Sequence, residues 1–190
     1  MPPARNAVWY MEGRSNVQSA GQTKFAGVAP VKPLISNIIT VVTGSDASIL
    51  AAKYAIVLAK SYKCRLSAVY VVDTATIKQL TLSKIFIQEE SAEYEMSLQA
   101  NGDRYLSFVA ELARAKGIDA ECAIRKGAIH TEILGIADEK KADLIILGGW
   151  EKDRSAQDII SHSHREIMIQ AKCPVLLVKE PDIERIYKYT

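Results

Sequence analysis

The feature that most limits how this chain can fold is a set of short runs rich in Val, Ile and Leu. They lie at Ile38 to Val42, Leu66 to Val72, Ala142 to Leu147 and Pro174 to Val178. A strand with one wet face alternates apolar and polar residues. Runs with almost no alternation need cover on both faces, which is the condition of a parallel sheet sandwiched between helices. The segments between the runs have helical length and helical spacing. Residues 46 to 62 bring Ile49, Ala52, Ile56 and Ala59 to one face, and Ser45 or Asp46 can cap the first turn. From about Ser91 the long segment 75 to 116 reads as one helix through Met96, Tyr105, Val109 and Leu112. Asn101-Gly102 is its weak point, and Gly117 suits the left-handed position after its end. A strand at Ala120 to Ile124, a helix from about His130 to Lys140 facing inward through Ile129, Ile133 and Ile136/Ala137, and a helix over about 155 to 171 complete the series. The order β-α-β-α-β-α-β-α-β predicts an α/β fold: a single doubly wound five-stranded parallel sheet with helices on both faces.

Residues 1 to 33 stand outside this rhythm. They hold four prolines, no apolar period, and four bases (Arg5, Arg14, Lys24, Lys32) against Glu12. They read either as a disordered or vector-derived tail, or as an arm that docks through Val8, Trp9, Tyr10 and Met11. Residues 34 to 180 form the body, and 181 to 190 a C-terminal tail.

Composition closes off several functions. Apolar residues are 48% and charged residues 24% of 190, so the chain can build a core. A net charge of +2 gives no footprint for nucleic acid. No apolar run exceeds six residues, so no membrane span is expected. Cys64, Cys122 and Cys173 are odd in number and lack metal-type spacing, which suits reduced thiols and a cytoplasmic location.

In an open parallel sheet a ligand sits beyond the carboxyl ends of the strands, where strand order reverses. Two loops have the composition for it. Thr43-Gly44-Ser45-Asp46 follows the first strand. Gly148-Gly149-Trp150-Glu151 follows the fourth and runs to a helix start near Ser161, where Ser161, His162, Ser163, His164 and Arg165 would surround an anion. Val71, at the end of the second strand, joins the candidates.

The stretches IITVVTGS (Ile38 to Ser45), AVYVVD (Ala68 to Asp73), ADLIILGG (Ala142 to Gly149) and CPVLLV (Cys173 to Val178) resemble the universal stress protein family over residues 34 to 179. The resemblance implies strand order 3-2-1-4-5. Many members of that family bind ATP through Gly-x2-Gly-x9-Gly-Ser/Thr and an Asp near the end of the first strand. Here the spacing stands but only Gly148 conforms. Glu151 takes the place of the second Gly, Ser161 the third, His162 the Ser/Thr, and Thr43 the Asp. Side chains at those glycines keep a phosphate from the backbone N–H groups. Glu151 adds a negative charge, and Trp150 is large enough to fill part of the cleft.

Three readings follow. The first is a stress-response protein acting by binding and signalling, without enzymatic chemistry, that does not bind ATP in the ordinary way and has no certain cofactor. The second is an ATP or adenine-nucleotide binder whose cradle is Thr43, Gly148, Ser161, His162, Ser163 and Arg165. The third is a dimeric interaction module with a filled cleft. His162 and His164 lie on different faces of a helix and His130 starts another, so a metal site is not expected. Cys173 reads as a small buried hydrophobe. A homodimer is expected through Val175, Leu176, Leu177 and Val178, an apolar edge strand that a two-fold axis would pair with its copy. The competing arrangement has the tail after Val178 shield that edge.

Overall fold

The computed structural model describes residues 33–149, 154–179 and 182–190, leaving aside the side chains of 154–161. The expectations for residues 1 to 32 and for Trp150, Glu151 and the Ser161 side chain fall outside this range. The sheet has five parallel strands: β1 (Asn37–Val41), β2 (Arg65–Asp73), β3 (Ala120–Gly127), β4 (Leu144–Gly148) and β5 (Val175–Val178). Their order is β3-β2-β1-β4-β5, as the resemblance implies. The helices are α1 (Asp46–Tyr62), α2 (Thr74–Leu82), α3 (Gln88–Ala115), α4 (Ile129–Lys140), α5 (Arg154–Gln170) and α6 (Ile183–Tyr189).

Successive side chains of a strand point to opposite faces, so the apolar run of β1 feeds two cores at once. Ile38 packs with Ala51, Ala55, Ile56 and Ala113 under α1 and α3. Ile39 packs with Ile133, Ile136 and Ile167 under α4 and α5. Asp143 pins the central strands together at their amino ends: its Oδ2 accepts the N–H groups of Ser36 at 2.9 Å and Asn37 at 3.1 Å.

The inner faces expected for α1 and α4 are the ones buried: Ala52, Ile56 and Ala59, and Ile133, Ile136 and Ala137. Ser45 caps α1, its Oγ accepting the Ser48 N–H at 3.2 Å. Gly117 is left-handed, with φ +74°.

The structure corrects three expectations. The segment 75 to 116 holds two helices, because Asp73 nucleates α2: its carboxylate accepts the Thr76 N–H at 3.0 Å and the Thr76 hydroxyl at 2.7 Å. Asn101-Gly102 does not break α3. Gly102 lies against the Tyr70 ring, and a Cβ there would stand 2.6 Å from Tyr70 Cδ1. The last long helix runs from Arg154 to Gln170, as the span of about 155 to 171 has it, and so does not start near Ser161. The C-terminal tail holds a further helix within its described residues 182 to 190. Asp182 precedes α6, which packs on α1 with Ile183 fully buried, and the Tyr187 hydroxyl donates to the Leu112 carbonyl at 2.7 Å. Lys53 pairs with Glu184, and Lys60 Nζ donates to the Thr190 carbonyl at 2.6 Å. The returning segment therefore covers helices. β5 has β4 as its one strand partner among the described residues. No described helix is long and apolar enough to cross a membrane.

Candidate functional site

The carboxyl ends of β1 and β2 open into a cleft of about 410 Å³. Thr43 and Val71 line it, so two of the residues singled out in the sequence meet there. The others that shape it were not singled out: Tyr70 and Asp73 from β2, Thr76 from α2, Tyr94 and Leu98 from α3, and Ile129 at the start of α4. No lysine or arginine lines the cleft among the described residues, and Asp73 is its one carboxylate. Burial pushes the Tyr70 hydroxyl's pKa up, with Tyr105 and Tyr94 adding to the effect, so Tyr70 remains a proton-bearing donor at neutral pH.

The first loop satisfies its own polar groups. The Thr43 N–H donates to Ser48 Oγ at 3.2 Å, the Thr43 hydroxyl to Ser45 Oγ at 3.0 Å, and the Ser45 N–H to Thr43 Oγ1 at 3.4 Å. The Ser48 hydroxyl returns to the Ser45 carbonyl at 2.8 Å. The Ser48 N–H, one of the donors a phosphate would use at the start of α1, is thus engaged within the loop by Ser45 Oγ. Gly44 has φ +87° and faces the Tyr105 ring, so a Cβ there would lie 2.2 Å from the ring. Tyr105, from α3, therefore covers this loop.

The second loop has glycines for packing reasons that need no ligand. A Cβ on Gly148 would stand 2.7 Å from the Ala47 carbonyl carbon and 2.8 Å from the Ser48 nitrogen. One on Gly149 would stand 2.8 Å from the Val178 carbonyl oxygen. Neither Gly148 nor Gly149 lines the cleft.

The anion site expected around Ser161 does not form as a helix start, because α5 begins at Arg154 and Ser161, His162 and Ser163 fall inside it. Within a helix their N–H groups point to carbonyls one turn back. Successive residues there also turn by about 100°. Ser163 and His164 are accordingly buried, while His162 and Arg165 are exposed. These residues do not converge on one point. His164 Nδ1 is buried with no hydrogen-bond partner, and burial holds the imidazole pKa below its ordinary value of 6.5.

The structure also brings together two histidines that the sequence set apart. The rings of His130, in the first turn of α4, and His162, on α5, have centroids 6.2 Å apart at an interplanar angle of 75°. Burial pushes the thiols of Cys64, Cys122 and Cys173 up, which keeps them in the poorly nucleophilic protonated form. Cys173 is half-buried and packs against the α4–α5 core.

Comparison with known proteins gives concordant matches. The family model described as the universal stress protein family matches residues 35–179. A universal stress protein of Methanocaldococcus jannaschii, MJ0531, is 32% identical over 152 residues, covering 80% of this chain and 86% of that protein. Among solved structures, a universal stress protein family member from Burkholderia pseudomallei superposes with a TM-score of 0.62 at 20% identity, covering 78% of this chain and 99% of that one. A universal stress protein solved in complex with cAMP superposes with a TM-score of 0.58 at 21% identity, covering 77% and 98%.

Proposed function

From the premise that the chain belongs to the universal stress protein family, we propose that it acts in a stress response by binding and signalling, without chemistry of its own, and that it does not bind ATP in the ordinary way. The observation that carries this reading is the cleft at the ends of β1 and β2. It offers apolar walls, two tyrosines and a single carboxylate, and no cation among its described lining residues. The Thr43 and Ser48 hydroxyls and the Thr43 and Ser45 N–H groups of the adjoining first loop donate within that loop. A triphosphate needs the reverse: free backbone donors and positive charge. The departures at Glu151, Ser161 and His162 point the same way. We further propose a cytoplasmic location and a homodimer formed through β5.

One observation favours a second reading, adenine-nucleotide binding through a non-standard cradle. A solved structure of this fold was obtained in complex with cAMP, and the cleft here lies at the same carboxyl end where open parallel sheets take their ligands.

A thermal shift with ATP and Mg²⁺ separates the two. A ligand that binds only the native state adds about 2.7 kcal/mol at 100 times its Kd. The first reading expects no shift for the wild type and a clear shift for Glu151→Gly combined with His162→Ser. A wild-type shift as large as that of the double variant would overturn it in favour of the second.

A further inference from the structure

We propose that His130 and His162 form a two-ligand binding site for a divalent transition metal of the zinc and nickel class. The site spans α4 and α5. The two rings approach to 6.2 Å between centroids from different helices, so one ion could bridge two elements that pack on each other in one core. Neither imidazole is engaged in a hydrogen bond or an ion pair among the described residues. Both rings therefore keep a nitrogen lone pair for a metal. His162 is exposed and His130 half-exposed, so an ion can enter from solvent.

The distance fits with a small adjustment. Zinc–nitrogen bonds of about 2.0–2.1 Å in a tetrahedral site bring two imidazole centroids to about 5 Å, roughly 1 Å nearer than here. A change in one exposed side-chain torsion spans that difference. The edge-to-face arrangement turns one ring's face toward the other, so that ring must rotate about its Cβ–Cγ bond before both aim an edge nitrogen at a shared ion. Among the described residues no third His, Cys, Asp or Glu completes a cage. Water or a ligand fills the remaining positions, and the site is open and weaker than a structural zinc centre. Imidazole donors prefer zinc and nickel to magnesium and calcium, which take oxygen.

The location has a consequence. His130 follows Ile129, which lines the cleft. His162 stands where the pattern described above calls for a phosphate-binding Ser or Thr. A metal there would present a positive charge beside a cleft whose described walls carry none.

Only three histidines occur in the chain, so imidazole NMR resonances can be read individually. Titrating Zn²⁺ into the full chain should perturb two of them together at one equivalent, leaving buried His164 unmoved. Calorimetry with Zn²⁺ and with Ni²⁺ should show a single site that is absent for Mg²⁺. His130→Gln and His162→Gln should each lower the affinity by tenfold or more, and the pair together should abolish binding. Cys122→Ser should leave it unchanged, which separates imidazole binding from capture by the exposed thiol. Equal Zn²⁺ affinity in wild type and both histidine variants, loss of binding in Cys122→Ser, or no saturable Zn²⁺ binding at millimolar metal would each overturn the assignment.

Discussion

At the scale of the residue, burial decides what His164 does to stability. Its imidazole is 6% exposed, and Nδ1 has no partner to offset the cost of a charge. The folded protein therefore holds this group's pKa below 6.5, while in the unfolded chain it returns to the ordinary value. Between the two values the unfolded state binds more protons, so stability falls as pH drops through 6.5 and below. Above 6.5 the group contributes nothing. Urea midpoints taken at pH 7.5 and pH 5.5 should fall less in His164→Leu than in the wild type. An equal fall in both would show that His164 keeps its ordinary titration. The same scale explains which site residues were legible. Thr43 follows a strand and sits among Gly and Ser, the signature of a ligand loop. Tyr70 and Asp73 lie in a continuous strand run, where they read as core and strand end. Tyr94 and Leu98 share a helical stripe with true core residues. Only the path of α2 and α3 over the strand ends turns them toward a cleft. His130 and His162 are remote in sequence, and helix-to-helix proximity leaves no mark in a single sequence.

At the scale of the element, the exposed edge of β5 sets the expectation for assembly. Val175, Leu176 and Leu177 are only partly buried, and the outer side of the strand has no described strand against it. Unpaired N–H and C=O groups on an apolar strand favour pairing with a second copy. Leu177→Pro removes one donor and disturbs close pairing. Light scattering should then give a monomer or aggregate where the wild type gives about twice 20.9 kDa. A monomeric wild type at high micromolar concentration would end the proposal. The strands themselves were legible because double-faced burial leaves unbroken Val and Ile runs. α2 was not, since Ile77 is its one buried residue and its start depends on a side-chain cap, not on apolar period. The start of α5 was ambiguous because residues 155 to 160 contain no Gly or Pro to stop a helix from reaching back to Arg154.

At the scale of the whole molecule, α6 fastens the end of the chain to α1, 130 residues earlier at Lys60–Thr190, and to the end of α3, 75 residues earlier at Leu112–Tyr187. Ile183 is fully buried, and the Tyr187 ring lies under Lys116 Nζ at 4.6 Å. Ile183→Ala should cost about 2–5 kcal/mol, as buried large-to-small changes do. Glu184→Ala removes an exposed ion pair and should cost under about 1 kcal/mol. Equal urea midpoints for the two variants would show that α6 is held by its surface and not by its core. The place of β1 carries a consequence for biosynthesis. The first of the described strands to be made is the middle one, and it must pair on both sides. Its β2 partner follows closely, but β4 emerges about 105 residues after β1. At roughly 5–20 residues per second, one edge of Ile38, Ile39 and Thr40 stays open on the ribosome for on the order of 5–21 seconds. During that interval the nascent chain displays the central β-branched strand of its future sheet without its second neighbour. An apolar edge of that kind is therefore more open to mispairing in the growing polypeptide than in the finished protein.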